Sequence, residues 1–155
     1  MLGHKLKIIL HTPQIPPNTG CIARTCAANN VGLHLIKPIG FDLSDKAVKR
    51  AGLDYWHLVD LTIHETWDEF LVYKSQRPGR VLAFSPAGVV RYDMFEYRDD
   101  DWILHGQEAT GLPLEILRSS DNVLYIPMQN PGVRSLNLAV SAGLSVYQAF
   151  NRLNI

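Results

Sequence analysis

Residues 126–137 read Ile126-Pro127-Met128-Gln129-Asn130-Pro131-Gly132-Val133-Arg134-Ser135-Leu136-Asn137, and the rest of the chain is read outward from them. An apolar run over 122–126 stops at Pro127, Pro131-Gly132 turns the chain, and Ser135 or Asn137 offers a side-chain oxygen to cap a helix. That helix, over 135–153, is the longest helical pattern in the sequence. Asn137, Ser141, Ser145, Gln148 and Arg152 recur at helical spacing as one narrow polar stripe, and nearly every other position is apolar or small. A helix apolar over most of its circumference must be covered on most sides. It is either the central core helix of a monomer or a subunit interface, where Ala139 and Gly143 would let a second helix come close.

Upstream lies His105-Gly106-Gln107-Glu108-Ala109-Thr110-Gly111-Leu112-Pro113, directly after an apolar run over 102–105. Its two glycines allow tight turns and close approach of backbone to a ligand, and the carboxyl end of a strand is where open α/β sheets bind ligands. The spacing matches neither a dinucleotide fingerprint nor a P-loop. Glu108 reads as a hydrogen-bond acceptor or as an anchor for backbone amides, and the loop reads equally as a plain strand-to-helix connection. Near the start stands Ile15-Pro16-Pro17-Asn18-Thr19-Gly20-Cys21-Ile22-Ala23-Arg24. Prolines over 12–17 argue against helix there, Asn18 is expected to cap a helix over 19–30, and Gly20 and Arg24 share a face of it. An anion approaching that helix start would meet Arg24; the plain alternative is a capped helix with an exposed arginine.

The intervening pattern alternates short apolar runs (5–11, 31–36, 58–61, 80–84, 102–105, 122–126) with helical stretches (19–30, 45–51, 64–73, 114–117, 135–153). That is an α/β chain with a mostly parallel sheet flanked by helices. With 155 residues, 46% hydrophobic and 19% charged, it reads as one globular domain over 1–155. No run approaches the ~18 apolar residues of a membrane helix, and residues 1–5 lack a signal-peptide core. Cys21 and Cys26 point in different directions from one helix, so the cytoplasm is the expected compartment. The six histidines have no metal-ligand spacing, and no metal is expected. No G-x-S-x-G element is present. A net charge of zero is unusual for a nucleic-acid binder, although Lys37, Lys46, Lys49 and Arg50 supply a local basic patch.

Taken together, the three clusters resemble the SpoU branch of the SPOUT RNA methyltransferases. Asn18, Gly20 and Arg24 match its first motif, Gly106, Glu108, Gly111, Leu112 and Pro113 its second, and Ile126, Pro127, Met128, Ser135, Leu136 and Asn137 its third. Ile15–Gly20, the stretch from Pro38 to Phe41, and Arg50-Ala51-Gly52-Leu53-Asp54-Tyr55 look like the short single-domain members that methylate the wobble nucleotide of tRNA. The resemblance implies a deep trefoil knot near the C-terminus, a homodimer, and S-adenosyl-L-methionine as cofactor. It implies a tRNA (cytidine/uridine(34)-2'-O)-methyltransferase. By position it assigns Phe84, Gly106, Glu108, Ile126, Met128, Ser135 and Asn137 to the cofactor, mostly through backbone. Arg24 and Ser135 are assigned to catalysis, and Asn18, Arg24, Lys46, Arg50 and Tyr147 to RNA or the dimer contact. The competing readings are a knotted dimer that holds RNA without methylating it, and an unrelated nucleotide-binding α/β protein. The latter needs a glycine loop after the first strand, where this chain has prolines.

Overall fold

The computed structural model describes residues 4–50 and 53–155. The N-terminal residues 1–3, Ala51 at the end of the expected second helix, and Gly52 in the motif beside it lie outside the described residues. The elements are β1 (Lys7–His11), α1 (Pro16–Asn29), β2 (Gly32–Ile36), α2 (Asp45–Arg50), a 3-10 turn (Trp56–Leu58), β3 (Leu61–His64) and α3 (Trp67–Ser75). Next come β4 (Val81–Phe84), β5 (Val90–Arg91), a second 3-10 turn (Tyr92–Met94), β6 (Trp102–His105), α4 (Leu114–Ser119), β7 (Asn122–Tyr125) and α5 (Leu138–Leu153). The strands form one seven-stranded sheet in the order β3-β2-β1-β6-β4-β7-β5, and every pairing is parallel.

A parallel sheet is covered on both faces, so its strands are apolar at consecutive positions and alternate residues serve opposite cores. Ile8, Leu10, Leu82, Phe84 and Ile103 join the core that holds Ile22, Ala142 and Val146 from α1 and α5. Ile9, Val81, Ala83, Trp102 and Leu104 join the other, around Phe70 and Ile116 of α3 and α4.

At the β5 edge the chain threads itself. β4 and β5 are joined only by residues 85–89, yet β7 lies between them, with Phe84 and Val90 both opposite Leu124. That connection therefore spans about two inter-strand spacings, roughly 9.5 Å, across the backbone of β7. Ser85 N donates to Leu124 O at 2.9 Å and Val89 N to Val123 O at 3.1 Å. A Cβ on Gly88 would stand 2.4 Å from Leu124 C, so only glycine fits the crossing. A later strand passed through a loop made by an earlier one is the step by which such a chain becomes knotted, a topology nearly absent from proteins.

Several sequence expectations are corrected. Helix α1 starts at Pro16 with Ile15 as its N-cap residue and prolines in its first turn, because proline's fixed φ suits the first helical positions and its missing N–H is not needed there. Asn18 therefore sits inside the first turn rather than capping it. The strand expected over 58–61 is β3, Leu61–His64. His64, read as the start of a helix, is its buried last residue, and Thr66 caps α3 by accepting from Glu69 N at 3.0 Å. Helix α5 begins at Leu138, not 135, because Asn137 accepts from Ala139 N and Val140 N at 2.8 and 3.2 Å. Within the polar stripe of α5, Ser145 is fully buried and donates to Ala142 O at 2.7 Å. The turn after β4 continues into β5, which periodicity missed because it is only two residues long.

Three histidines are buried as neutral rings. His34 Nδ1 and His64 Nε2 lie 2.9 Å apart, so one donates and the other accepts. Since the Ser145 hydroxyl is spent on Ala142, His105 Nε2 carries the proton and donates to Ser145 Oγ at 3.1 Å. Burial pushes His105 down to about 3, burial and then the neighbouring His64 do the same to His34, and burial lowers His64 as well. Unfolding releases each ring to its ordinary value near 6.5, where it binds a proton. Stability is thus full above that value and falls as pH drops below it, by up to ~1.4 kcal/mol per pH unit for each histidine. Urea titrations should give a level midpoint from about pH 8.5 to 7.5, a decline that sets in near pH 7 and a steep fall toward pH 5, shallower in His105→Gln. A midpoint unchanged down to pH 5 would contradict the neutral assignments.

Candidate active site at the crossing loops

The carboxyl ends of β4, β6 and β7 surround a cleft of about 420 Å³, within the usual range for small-molecule sites. Three connections build its walls: Phe84, Ser85 and Pro86 after β4; the 105–112 loop after β6; and Ile126, Met128 and 134–136 after β7, with Leu138 and Ser141 closing one side. The 105–112 loop doubles back on itself. Gly111 N donates to Gln107 O at 2.9 Å, Gly111 takes a φ of +69°, and a Cβ on Gly106 would lie 2.3 Å from Gly111 C. Both glycines are thus required by backbone shape before any ligand is considered.

What holds this loop in place is Glu108. Its carboxylate accepts from Gln14 N at 2.9 Å, from Ile15 N at 2.7 Å and from Asn18 Nδ2 at 3.4 Å. Asn18 Oδ1 in turn accepts from Asn137 Nδ2 at 3.0 Å, while Asn137 Oδ1 caps α5. One chain of hydrogen bonds joins the proline loop, the glycine loop and the start of the last helix. The proline loop reaches Glu108 because Thr12 turns the end of β1 at a φ of +52°, a costly conformation for a β-branched residue. The Thr12 carbonyl accepts from Gln14 Nε2 at 2.9 Å and Gln107 Nε2 at 3.3 Å.

The expected site residues divide accordingly. Glu108 lines the cleft, and its carboxylate is occupied by amides of the chain, the anchor role that was one of its two readings. Asn137 does not line the cleft; its amide serves the cap and Asn18. Asn18 is 8% exposed, and its amide is engaged within the chain by Glu108 and Asn137. Phe84, Gly106, Ile126, Met128 and Ser135 do line the cleft as expected. Leu112, Arg134 and Leu136 line it too. Their positions inside the motifs were the available signal for them, masked because periodicity assigns no direction to loop side chains.

Arg24 is exposed on α1 and does not line the cleft of its own chain. Its guanidinium carbon lies 4.8 Å from the centre of the Tyr55 ring. Lys46 and Arg50 are exposed on α2, whereas Lys37, expected in the same basic patch, is paired with Glu65 at 3.1 Å. Tyr147 is 58% exposed and accepts from Asn29 Nδ2 at 3.2 Å. It shares an uncovered apolar face of α5 with Val140 and Leu144. Among the described residues no helix is long and apolar enough to cross a membrane.

The family model for the SpoU rRNA methylase family matches residues 5–147. The chain belongs to that family. A tRNA (cytidine(34)-2'-O)-methyltransferase of Saccharophagus degradans is 45% identical over 94% of this chain and 94% of its own. A protein solved in connection with 2-OH methylation of C/U34 on tRNA is 46% identical, covers 97% of both chains and superposes with a TM-score of 0.90. An AdoMet-bound rRNA methyltransferase from Sinorhizobium meliloti is 26% identical over 98% of this chain and 58% of its own, with a TM-score of 0.85. The threaded β7 of this SpoU protein is accordingly the α/β knot of its relatives, a parallel sheet flanked by helices.

The anchor carries a measurable load. Hydrogen bonds to a charged acceptor contribute ~1.5–3 kcal/mol, so Glu108→Gln should lower the melting temperature by several degrees, at about 2–4 °C per kcal/mol for a chain of this size. Because Asn18 shares the network, Asn18→Ala added to Glu108→Gln should cost less than the sum of the two. Additive losses in thermal melts would mean that the two side chains act independently.

Proposed function

We propose that this SpoU protein is an S-adenosylmethionine-dependent tRNA (cytidine/uridine(34)-2'-O)-methyltransferase that works as a homodimer in the cytoplasm. The observation that carries this reading is the 46% identity over 97% of both chains to the C/U34 protein, together with an intact cleft and anchor. The cleft suits S-adenosylmethionine chemically. Leu112, Ile126, Leu136 and Leu138 offer an apolar slot for an adenine, and the doubled-back glycine loop presents peptide groups to its polar edge. The cofactor supplies the methyl group when bound.

The chain's own residues supply position and proton handling. Arginine, with a pKa above ~12, is a poor base at neutral pH. Arg24 is therefore assigned to the RNA phosphate, where its planar fork fixes the ribose and aims the 2'-hydroxyl. A phosphate oxygen of the RNA receives the hydroxyl proton, directly or through the Ser135 hydroxyl in the cleft wall, which takes that proton as it passes its own on. Lys46 and Arg50 on α2 extend the cationic surface toward the anticodon stem. Arg24 lies outside the cleft of its own chain, and Val140, Leu144 and Tyr147 leave α5 with an unpaired apolar face. A symmetric pairing through α5 covers that face and brings one subunit's Arg24 to the other's cleft.

With bulk tRNA and labelled S-adenosylmethionine, the protein should place a 2'-O-methyl group on nucleotide 34, read by mass spectrometry of nuclease fragments. Arg24→Lys should keep cofactor affinity and slow transfer by about ten-fold or more, a barrier change of at least ~1.4 kcal/mol. Modification at a different nucleotide would reject the substrate assignment, and tight RNA binding without transfer would favour the inactive binder. A monomer in sedimentation at assay concentrations would reject the dimer.

A further inference from the structure

Arg24 is a long, flexible side chain on an exposed helix face, and such a side chain does not by itself hold a guanidinium in one place. The structure contains a device that does. Tyr55, half-buried from the segment after α2, donates its hydroxyl to the Gly20 carbonyl at 2.7 Å. Gly20 lies one helical turn before Arg24 on the same face of α1. With the hydroxyl tied there, the ring is laid along that face, and the Arg24 guanidinium carbon rests 4.8 Å from its centre.

The ring is fixed from behind as well. Trp56 N donates to Leu53 O at 3.1 Å and Leu58 N to Tyr55 O at 2.9 Å, which closes the turn around it. Tyr55 and Trp56 pack on the α1–α5 core. Leu53 stands against Gly20, its Cδ2 4.0 Å from where a Cβ would be. An aromatic face attracts a guanidinium through its quadrupole but occupies only the flat side of the cation. A guanidinium carries five N–H donors, so those not turned to the Tyr55 hydroxyl remain for a phosphate to take in bidentate fashion.

We infer that Tyr55 is the positioning residue for Arg24: tied to the Gly20 carbonyl, its ring holds the guanidinium in one orientation with the N–H fork turned to the RNA phosphate. This rests on the function proposed above. Tyr55 touches neither the cofactor cleft nor the reacting atoms in the chain, so it acts on turnover only through Arg24.

The test is a double-mutant cycle with a spectroscopic arm. Tyr55→Leu, which removes ring and hydroxyl, should lower kcat for tRNA methylation by about ten- to hundred-fold, with KM for S-adenosylmethionine unchanged. Tyr55→Phe keeps the ring and should retain most of the activity. In an Arg24→Ala background neither Tyr55 variant should slow the enzyme further. Separately, the Arg24 Nε–Hε resonance, assigned by its loss in Arg24→Ala, should be shifted by the ring current in the wild type. It should stay shifted in Tyr55→Phe and return to the free-arginine position in Tyr55→Leu. Losses that multiply in the Arg24→Ala background, or an Arg24 resonance indifferent to Tyr55→Leu, would overturn the inference. Should Tyr55→Leu fail to fold, the Arg24 resonance of the wild type decides alone: a ring-current shift supports the inference, and a free-arginine position overturns it. A wild type inactive on tRNA removes the functional reading, while the resonance still decides whether Tyr55 orders Arg24.

Discussion

The Glu108 carboxylate gathers Gln14 N, Ile15 N and the Asn18 amide, which belong to a segment about ninety positions earlier in the chain. Every other part of the site depends on that meeting. Without it the proline loop has no partner for two backbone donors, and the first turn of α1 keeps only the Asn137–Asn18 bond as its tie to the start of α5. Charge-assisted bonds to backbone amides are among the stronger ones available. Here they join segments that the sheet alone would leave as independent loops. The strain at Thr12 belongs to the same arrangement: its left-handed backbone is tolerated because the carbonyl it turns is taken by Gln14 and Gln107.

Threading and ligand binding are two consequences of one geometry. Passing β7 beneath residues 85–89 leaves three strand ends, β4, β6 and β7, side by side with their connections crossing above. Crossing loops make a concave wall of backbone, and a cleft results without dedicated side chains. This explains why the glycines matter for shape and why the cleft's side chains are mostly apolar. Such a wall can select a flat, hydrogen-bonding group such as an adenine, but it carries little acid–base chemistry. The groups with chemistry lie at its rim, Ser135 and Arg134, or on another surface altogether, Arg24.

In the function proposed above, substrate recognition and cofactor recognition fall on different elements. Helix α1 carries Arg24 at its surface and Asn18 in its buried first turn, so a single helix is bonded to the knot at one end and offers a cation to solvent further along. The segment after α2 orders that cation from the side. The uncovered apolar face of α5, which packs beside α1 through Tyr147 and Asn29, lies next to it. Pairing through this face, proposed above, makes the distance between Arg24 and its own cleft a feature of the design rather than a gap in it.

Much of this was legible in the residues themselves. Alternating apolar runs and helical stretches specify a parallel α/β sheet because burial on both faces leaves that pattern. The motif residues around Gly106, Ile126 and Arg24 became legible together, through the resemblance, since each cluster alone reads as well as a plain loop or a capped helix. Helix starts were misplaced where two local rules competed, as at Pro16, which begins a helix as readily as it forbids one, and at His64, whose burial on a strand end no periodicity reports. Which way Glu108, Asn18, Asn137 and Ser145 point was undecidable, since a polar side chain's partner is set by what lies across space and not along the chain. The sequence by itself therefore determined the sheet, the helices and the positions of the loops that build the cleft. Only the tertiary structure decided that three of the motif side chains hold the knot together and that Arg24 stands apart from the cleft against Tyr55. The reason is that the first depends on one strand passing through a loop and the second on the segment after α2 packing against α1, relations between distant segments that leave no local signature.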